Sequence, residues 1–93
     1  MHKSRELPII TPAALARFRR SYQKMPSNCW EWRGPKNSDG YGVIQVAGVR
    51  CQAHRVSYAI FHGPPPLHLT VMHSCDNRKC VNPSHLSVGT QGR

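Results

Sequence analysis

Between His73 and His85 the chain reads His-Ser-Cys75-Asp-Asn-Arg-Lys-Cys80-Val-Asn-Pro-Ser-His85, two thiols and two imidazoles in one short run. Zinc takes four thiolate or imidazole ligands in a tetrahedron, and a structural site leaves no position open. Cys75 and Cys80 have four residues between them, as do Cys80 and His85, so one looped segment can supply three ligands to one ion. The fourth must come from elsewhere. Cys29 is the expected donor, because it opens a strand beside Trp30 and Trp32 and would clip that strand to the loop as a Cys3His site. Cys51 is the alternative donor, although in a hairpin strand it reads most simply as a small buried hydrophobe. A disulfide or unbound thiols are the competing readings of the same cysteines.

The constraint is severe because the chain is short. A domain of 93 residues buries a limited fraction of its surface and commonly needs a staple. A zinc site of this kind contributes on the order of 10–16 kcal/mol, so the fold is expected to depend on the metal. The N-terminus, Met1-His-Lys-Ser-Arg-Glu-Leu-Pro8, has no apolar run of the secretory type, and no stretch reaches the length of a membrane span. A reducing cytoplasm is therefore the expected setting, where clustered cysteines favour metal over disulfide.

Charge points to the partner. Thirteen Lys and Arg face four acids, a formal net charge of +9, while only 18% of residues are charged. Few acids are left to neutralise those bases, which favours a polyanion, most simply nucleic acid. The plainer reading is a generic basic small protein. Arg17, Arg19, Arg20, Lys24, Arg50, Arg78 and Lys79 are the candidate contacts.

Along the chain, residues 1–10 read as a basic arm. Thr11-Pro12 is a helix start, with Thr as cap and Pro at the first helical position. The spacing predicts a helix running to Lys24, with Leu15, Phe18 and Tyr22 inward and Met25-Pro-Ser-Asn28 ending it. Cys29 to Trp32 alternates like a strand. Tyr41–Val46 and Val49–Gln52 read as a hairpin turning at Ala47-Gly48. Ala53 to His62 suits a helix with Val56, Ala59 and Ile60 inward, stopped by Gly63-Pro-Pro-Pro66. Leu69–Met72 is a brief strand delivering His73, followed by a compact loop steadied by Asn77, Asn82 and Pro83. The expected organisation is an arm and helix over 1–27 and a zinc-bound domain over 28–93. No internal repeat or second domain is apparent.

The motifs Cys29-Trp-Glu-Trp, Gly40-Tyr-Gly, Ala53-His-Arg55, Gly63-Pro, His73-Ser-Cys-Asp-Asn, Cys80-Val-Asn-Pro-Ser-His-Leu86 and Gly89-Thr90, in that order, resemble the HNH endonucleases. More narrowly, the chain is similar to the phage-type, His-Cys-box-related branch of the His-Me finger nucleases. The resemblance covers roughly residues 28–93. It implies an α+β fold: a small zinc-stapled His-Me finger (ββα-metal-like) domain with an N-terminal helix, a β-hairpin and a short central helix.

The resemblance also implies roles. His73 matches the general base that activates water against a phosphodiester, a task suited to an imidazole titrating near neutrality. Arg55 matches an arginine beside the scissile phosphate, where a guanidinium offsets developing charge. Cys29, Cys75, Cys80 and His85 match the structural zinc ligands, and Asn82 a loop-stabilising asparagine. Hydrolysis in the family also uses Mg2+ or Mn2+ near the leaving oxygen. Relatives hold that ion with an Asn or His on a final helix; the corresponding position falls past Arg93, so that helix is expected to be missing or truncated. Met72 stands where many relatives carry Asp. Asp76, Asn77 or His54 are the side chains that would have to substitute. Two functions follow: a metal-dependent DNA endonuclease or nickase, or a catalytically inactive nuclease-derived zinc module. The second would bind DNA, RNA or a host nucleoprotein complex, as a phage-encoded inhibitor of host defence of the anti-CRISPR type would.

Overall fold

In the computed structural model the described residues are 8–66 and 69–89. Residues 1–7 of the arm read over 1–10, and Thr90, lie outside them. Helix α1 spans Pro12–Arg20 and starts as its cap residues dictate: the Thr11 hydroxyl accepts from the Ala14 N–H at 3.1 Å, and Pro12 occupies the first turn. Its buried face is Ala14 and Phe18, one turn apart, while Leu15 is only half-buried.

The helix stops four residues short of the expected Lys24. At Ser21 the hydroxyl donates back to the Arg17 carbonyl at 2.7 Å, and the Ser21 N–H turns to Phe18. Such local back-bonding competes with helix continuation. Tyr22–Lys24 then forms strand β1, antiparallel to β2 at Trp30–Trp32, with Tyr22 opposite Trp32 and Lys24 opposite Trp30. Tyr22 does sit near Phe18, with ring centroids 5.3 Å apart, but from a strand. It also stacks on Trp30 at 4.8 Å and 9°, a pairing of aromatic residues that favours a sheet.

Strands β3 (Val43–Val46) and β4 (Val49–Gln52) form the expected hairpin. Both turn residues have positive φ, 51° at Ala47 and 79° at Gly48, the geometry of a two-residue turn matched to the strand twist. Just before β3, Gly42 lies against the buried indole of Trp32. A Cβ there would fall 2.5 Å from that ring, so this close approach admits only glycine.

Helix α2 spans Ala53–His62 and follows β4 directly. Its buried positions are Ala53, His54, Val56 and Ser57; of the expected inner residues, Val56 is buried, Ile60 is half-buried but packs against the core, and Ala59 is half-buried. The Ser57 hydroxyl donates to the Val81 carbonyl at 2.6 Å and holds that side of the helix against the C-terminal loop. Gly63, at φ 100°, ends it ahead of the prolines.

Strand β5 (Thr70–His73) pairs with β6 (Leu86–Gly89), placing His73 opposite Leu86. Sequence reading placed only a loop after His73; the partner strand was hidden because its pairing is long-range. Between β5 and β6, a 3-10 turn spans Pro83–His85, capped by the Asn82 side chain accepting from the Ser84 N–H at 2.9 Å. The fold is thus α+β, with two helices and antiparallel ribbons. Its core gathers Phe18, Trp32, Ile44, Val46, Cys51, Val56 and Val81.

Candidate metal centre and histidine cleft

Strand β2 is tied to the C-terminal loop by backbone. The Trp32 N–H donates to Lys79 O and the Val81 N–H to Trp30 O, both at 2.8 Å. The Asn82 amide donates to the Asn28 carbonyl at 2.5 Å, holding the residue before Cys29 in its positive-φ conformation of 74°. These bonds carry Cys29 across the molecule to the loop. Its sulfur lies 3.8 Å from His85 Nδ1, and the Cys80 sulfur lies 3.4 Å from the same nitrogen.

The donor atoms of Cys29, Cys75, Cys80 and His85 all lie within 4.8 Å of one another. Bond lengths of about 2.3 Å to sulfur and 2.0 Å to nitrogen put the edges of a tetrahedral site at roughly 3.5–3.8 Å. Donor set and spacing therefore fit a metal ion. Burial pushes the Cys80 thiol up to about 12, so a bound cation must displace its proton. Burial also raises the Cys29 thiol, but hydrogen bonds from Cys80, Cys75, Asn77 and Ser27 more than offset this and its net shift is downward. Cys51 lies elsewhere, in the core, its thiol raised by desolvation and forming a long contact of 3.5 Å to the Val49 carbonyl.

His73, at the end of β5, is half-buried beside this centre. Its Nε2 lies 2.9 Å from the Cys80 carbonyl. A carbonyl only accepts, so Nε2 carries the proton and Nδ1 keeps the lone pair. Burial lowers the His73 pKa, against the upward pull of the Cys80 carbonyl and of Asp76, which keeps the ring a neutral proton acceptor near pH 7. An open cleft of about 350 Å3 adjoins it, lined by Tyr41, Thr70, Val71, Met72, His73, Asp76 and Arg78.

Sequence reasoning named His54 only as a stand-in metal ligand and did not bring Tyr41 to His73. The His54 and His73 ring centroids are 4.6 Å apart, and Tyr41 stacks on both at 5.3 and 5.9 Å. The motifs Gly40-Tyr-Gly and Ala53-His-Arg held both residues, but nothing local says that they converge. Of the side chains named as stand-in metal ligands, Asn77 is turned toward β2, donating to Glu31 at 3.3 Å and accepting from the Lys79 N–H at 3.1 Å. Asp76 lines the cleft, and His54 is buried. Magnesium asks for an oxygen-rich, near-octahedral set. Among the described residues, the Cys29, Cys75, Cys80 and His85 group is the one cluster of three or more His, Cys, Asp or Glu that could hold an ion. The cleft therefore does not fit a preformed magnesium cage.

Arg55 is half-buried in the first turn of α2, close enough to His54 and Cys51 for its charge to bear on both. The other bases are spread over the surface. The Arg17 guanidinium donates to the Gln45 carbonyl and, with Arg50, flanks a groove of about 520 Å3 floored by Trp32, Val43 and Ile44. Arg19 and Arg20 are exposed. Lys24 lies over the Trp30 ring at 4.7 Å. Lys79 pairs with Glu31 at 3.8 Å. Arg78 donates to the Asp39 carbonyl at 2.7 Å and lies over the Tyr41 ring at 5.3 Å, at the cleft itself.

A clipped thiol-rich loop and a strand-end histidine anchored on a loop carbonyl are thus brought together. Residues 51–92 match the family model described as HNH endonuclease, so that segment of the chain is similar to that family. It is 46% identical over 63 residues to Protein 7.7 of Escherichia phage T7, and 46% identical over 66 residues to Protein 2.8 of the same phage. Those matches take in 68% and 69% of this chain but 48% and 44% of the relatives, so the chain spans less than half the length of either. No solved structure matches. No helix among the described residues is long and apolar enough to cross a membrane.

Proposed function

We propose that the protein is a zinc-stapled DNA endonuclease or nickase of the host cytoplasm, with His73 as general base and Arg55 beside the phosphate. The observation that carries this reading is the hydrogen bond from His73 Nε2 to the Cys80 carbonyl, which leaves Nδ1 as the proton acceptor at a polar cleft. That carbonyl belongs to one of the four residues clustered for zinc, so the ion and the base share one support. The +9 charge, with Arg78 at the cleft rim, suits a phosphodiester backbone.

A second reading is favoured by one observation: among the described residues lining the cleft, Asp76 is the one carboxylate, so magnesium there would rest mostly on phosphate oxygens. In it the same scaffold binds nucleic acid, or a host nucleoprotein complex, without cutting. Incubating the zinc-loaded protein with supercoiled plasmid and Mg2+ or Mn2+ separates the two. The nuclease reading expects nicking that falls about 10²–10⁴-fold in His73→Ala. Salt-sensitive DNA binding with no nicking under either ion would establish the binding module instead.

A further inference from the structure

His54 has no part in the chemistry described so far, yet it is 4% exposed and packed against the proposed base. Its Nε2 donates to the Val71 carbonyl at 3.2 Å, while Nδ1 is sealed from solvent with no partner. A buried lone pair without a donor is unfavourable, and a phenylalanine would fill the same space without it. What the imidazole adds is the bond to Val71. Val71 stands two residues before His73 on β5, so that bond ties the plane of the His54 ring to the strand that carries His73.

The neighbouring rings complete the arrangement. His54 meets the His73 ring at 36°, and Tyr41 lies at 28° to His54 and 26° to His73. Arg78, anchored on the Asp39 carbonyl, covers Tyr41 in turn. The His73 ring is therefore held at one nitrogen by Cys80 and packed by two other rings, with no bond at its second nitrogen among the described residues.

We propose that Tyr41 and His54 are positioning residues, a ring clamp that holds His73 in the Nε2-protonated tautomer and keeps Nδ1 available as acceptor. The kinetic part of this proposal rests on the nuclease reading. The orientation of the ring does not, and can be measured in a protein that cuts nothing.

Long-range proton–nitrogen NMR correlations on 15N-labelled, zinc-loaded protein report the His73 tautomer. The wild type is expected to show the Nε2-protonated form as dominant near neutral pH. His54→Ala and Tyr41→Leu are expected to raise the Nδ1-protonated fraction several-fold. His54→Phe, which keeps a ring but loses the Val71 bond, should fall between the wild type and His54→Ala. Zinc content and thermal midpoint are read on each variant, so that a fold defect is visible as such. Tyr41 lies outside the core cluster, so Tyr41→Leu serves the test if His54→Ala does not fold. In nicking assays the clamp variants should lose kcat about tenfold or more with KM little changed. A tautomer shift in protein that never nicks supports the clamp while sinking the nuclease reading. A folded, zinc-loaded clamp variant with the wild-type His73 tautomer would overturn the clamp.

Discussion

His54 and His73 are a ring apart, and burial acts on both. For His54 it dominates: desolvation, with smaller contributions from the neighbouring His73 and Arg55, pushes the ring down to about 3, so it stays neutral through the physiological range. In the unfolded chain the same imidazole titrates near 6.5. Above that value both states are neutral and the group adds no pH dependence. Below it the unfolded state binds the extra proton, so stability falls as pH drops from about 6.5 toward about 3. The slope is at most about 1.4 kcal/mol per pH unit. Comparing denaturation midpoints of the wild type with those of His54→Phe isolates this term from acid loss at the thiol cluster. The wild type should weaken more steeply on acidification, and parallel curves would show that His54 is protonated in the folded state.

At the scale of elements, the hairpin offers a direct test of turn chemistry. Ala47 occupies a left-handed conformation that costs an alanine roughly 1 kcal/mol and suits asparagine far better. Ala47→Asn is therefore expected to raise stability by about 0.5–1 kcal/mol, seen as a higher urea midpoint with an unchanged m-value. A lower midpoint would mean that the turn is not of this type. This hairpin was legible in the sequence because both alternation and turn residues are local. So was α2, bounded by Gly63 and its prolines. Strand β1 was not, since Tyr22 continues the helical spacing of Phe18 and only the Ser21 back-bond and the Trp30 stack divert it. Strand β6 was illegible for a related reason: Leu86-Ser-Val-Gly89 acquires its role only from β5. Within the site, the thiols were readable from spacing and His73 from its motif, whereas Tyr41 and His54 reach it through tertiary packing.

For the molecule as a whole, a metal ion held by the four clustered donors would outweigh any single ribbon. A small domain has about 5–15 kcal/mol of net stability, and a zinc site of this composition contributes on the order of 10–16 kcal/mol. Chelation at neutral pH should therefore abolish the cooperative thermal transition, with circular dichroism as the readout, and zinc in excess should restore it. Cys80→Ser should behave as the chelated wild type. A chain that melts identically with and without chelator would show that the four donors do not staple the fold. A loaded site would join separate ribbons over a modest core, since the start of β2, the 3-10 turn and the end of β5 all lie beside it.

The four donors are unequal in origin. Three sit on one short loop, and Cys29 arrives from 56 positions away from His85. A loop alone offers an ion three protein donors; the fourth is present only while β2 is seated. Metal affinity is thus a gauge of whether the two halves of the chain are joined. Any change that loosens β2, such as loss of the Asn82 bond to Asn28, will register first as faster metal escape and only later as a lower melting point.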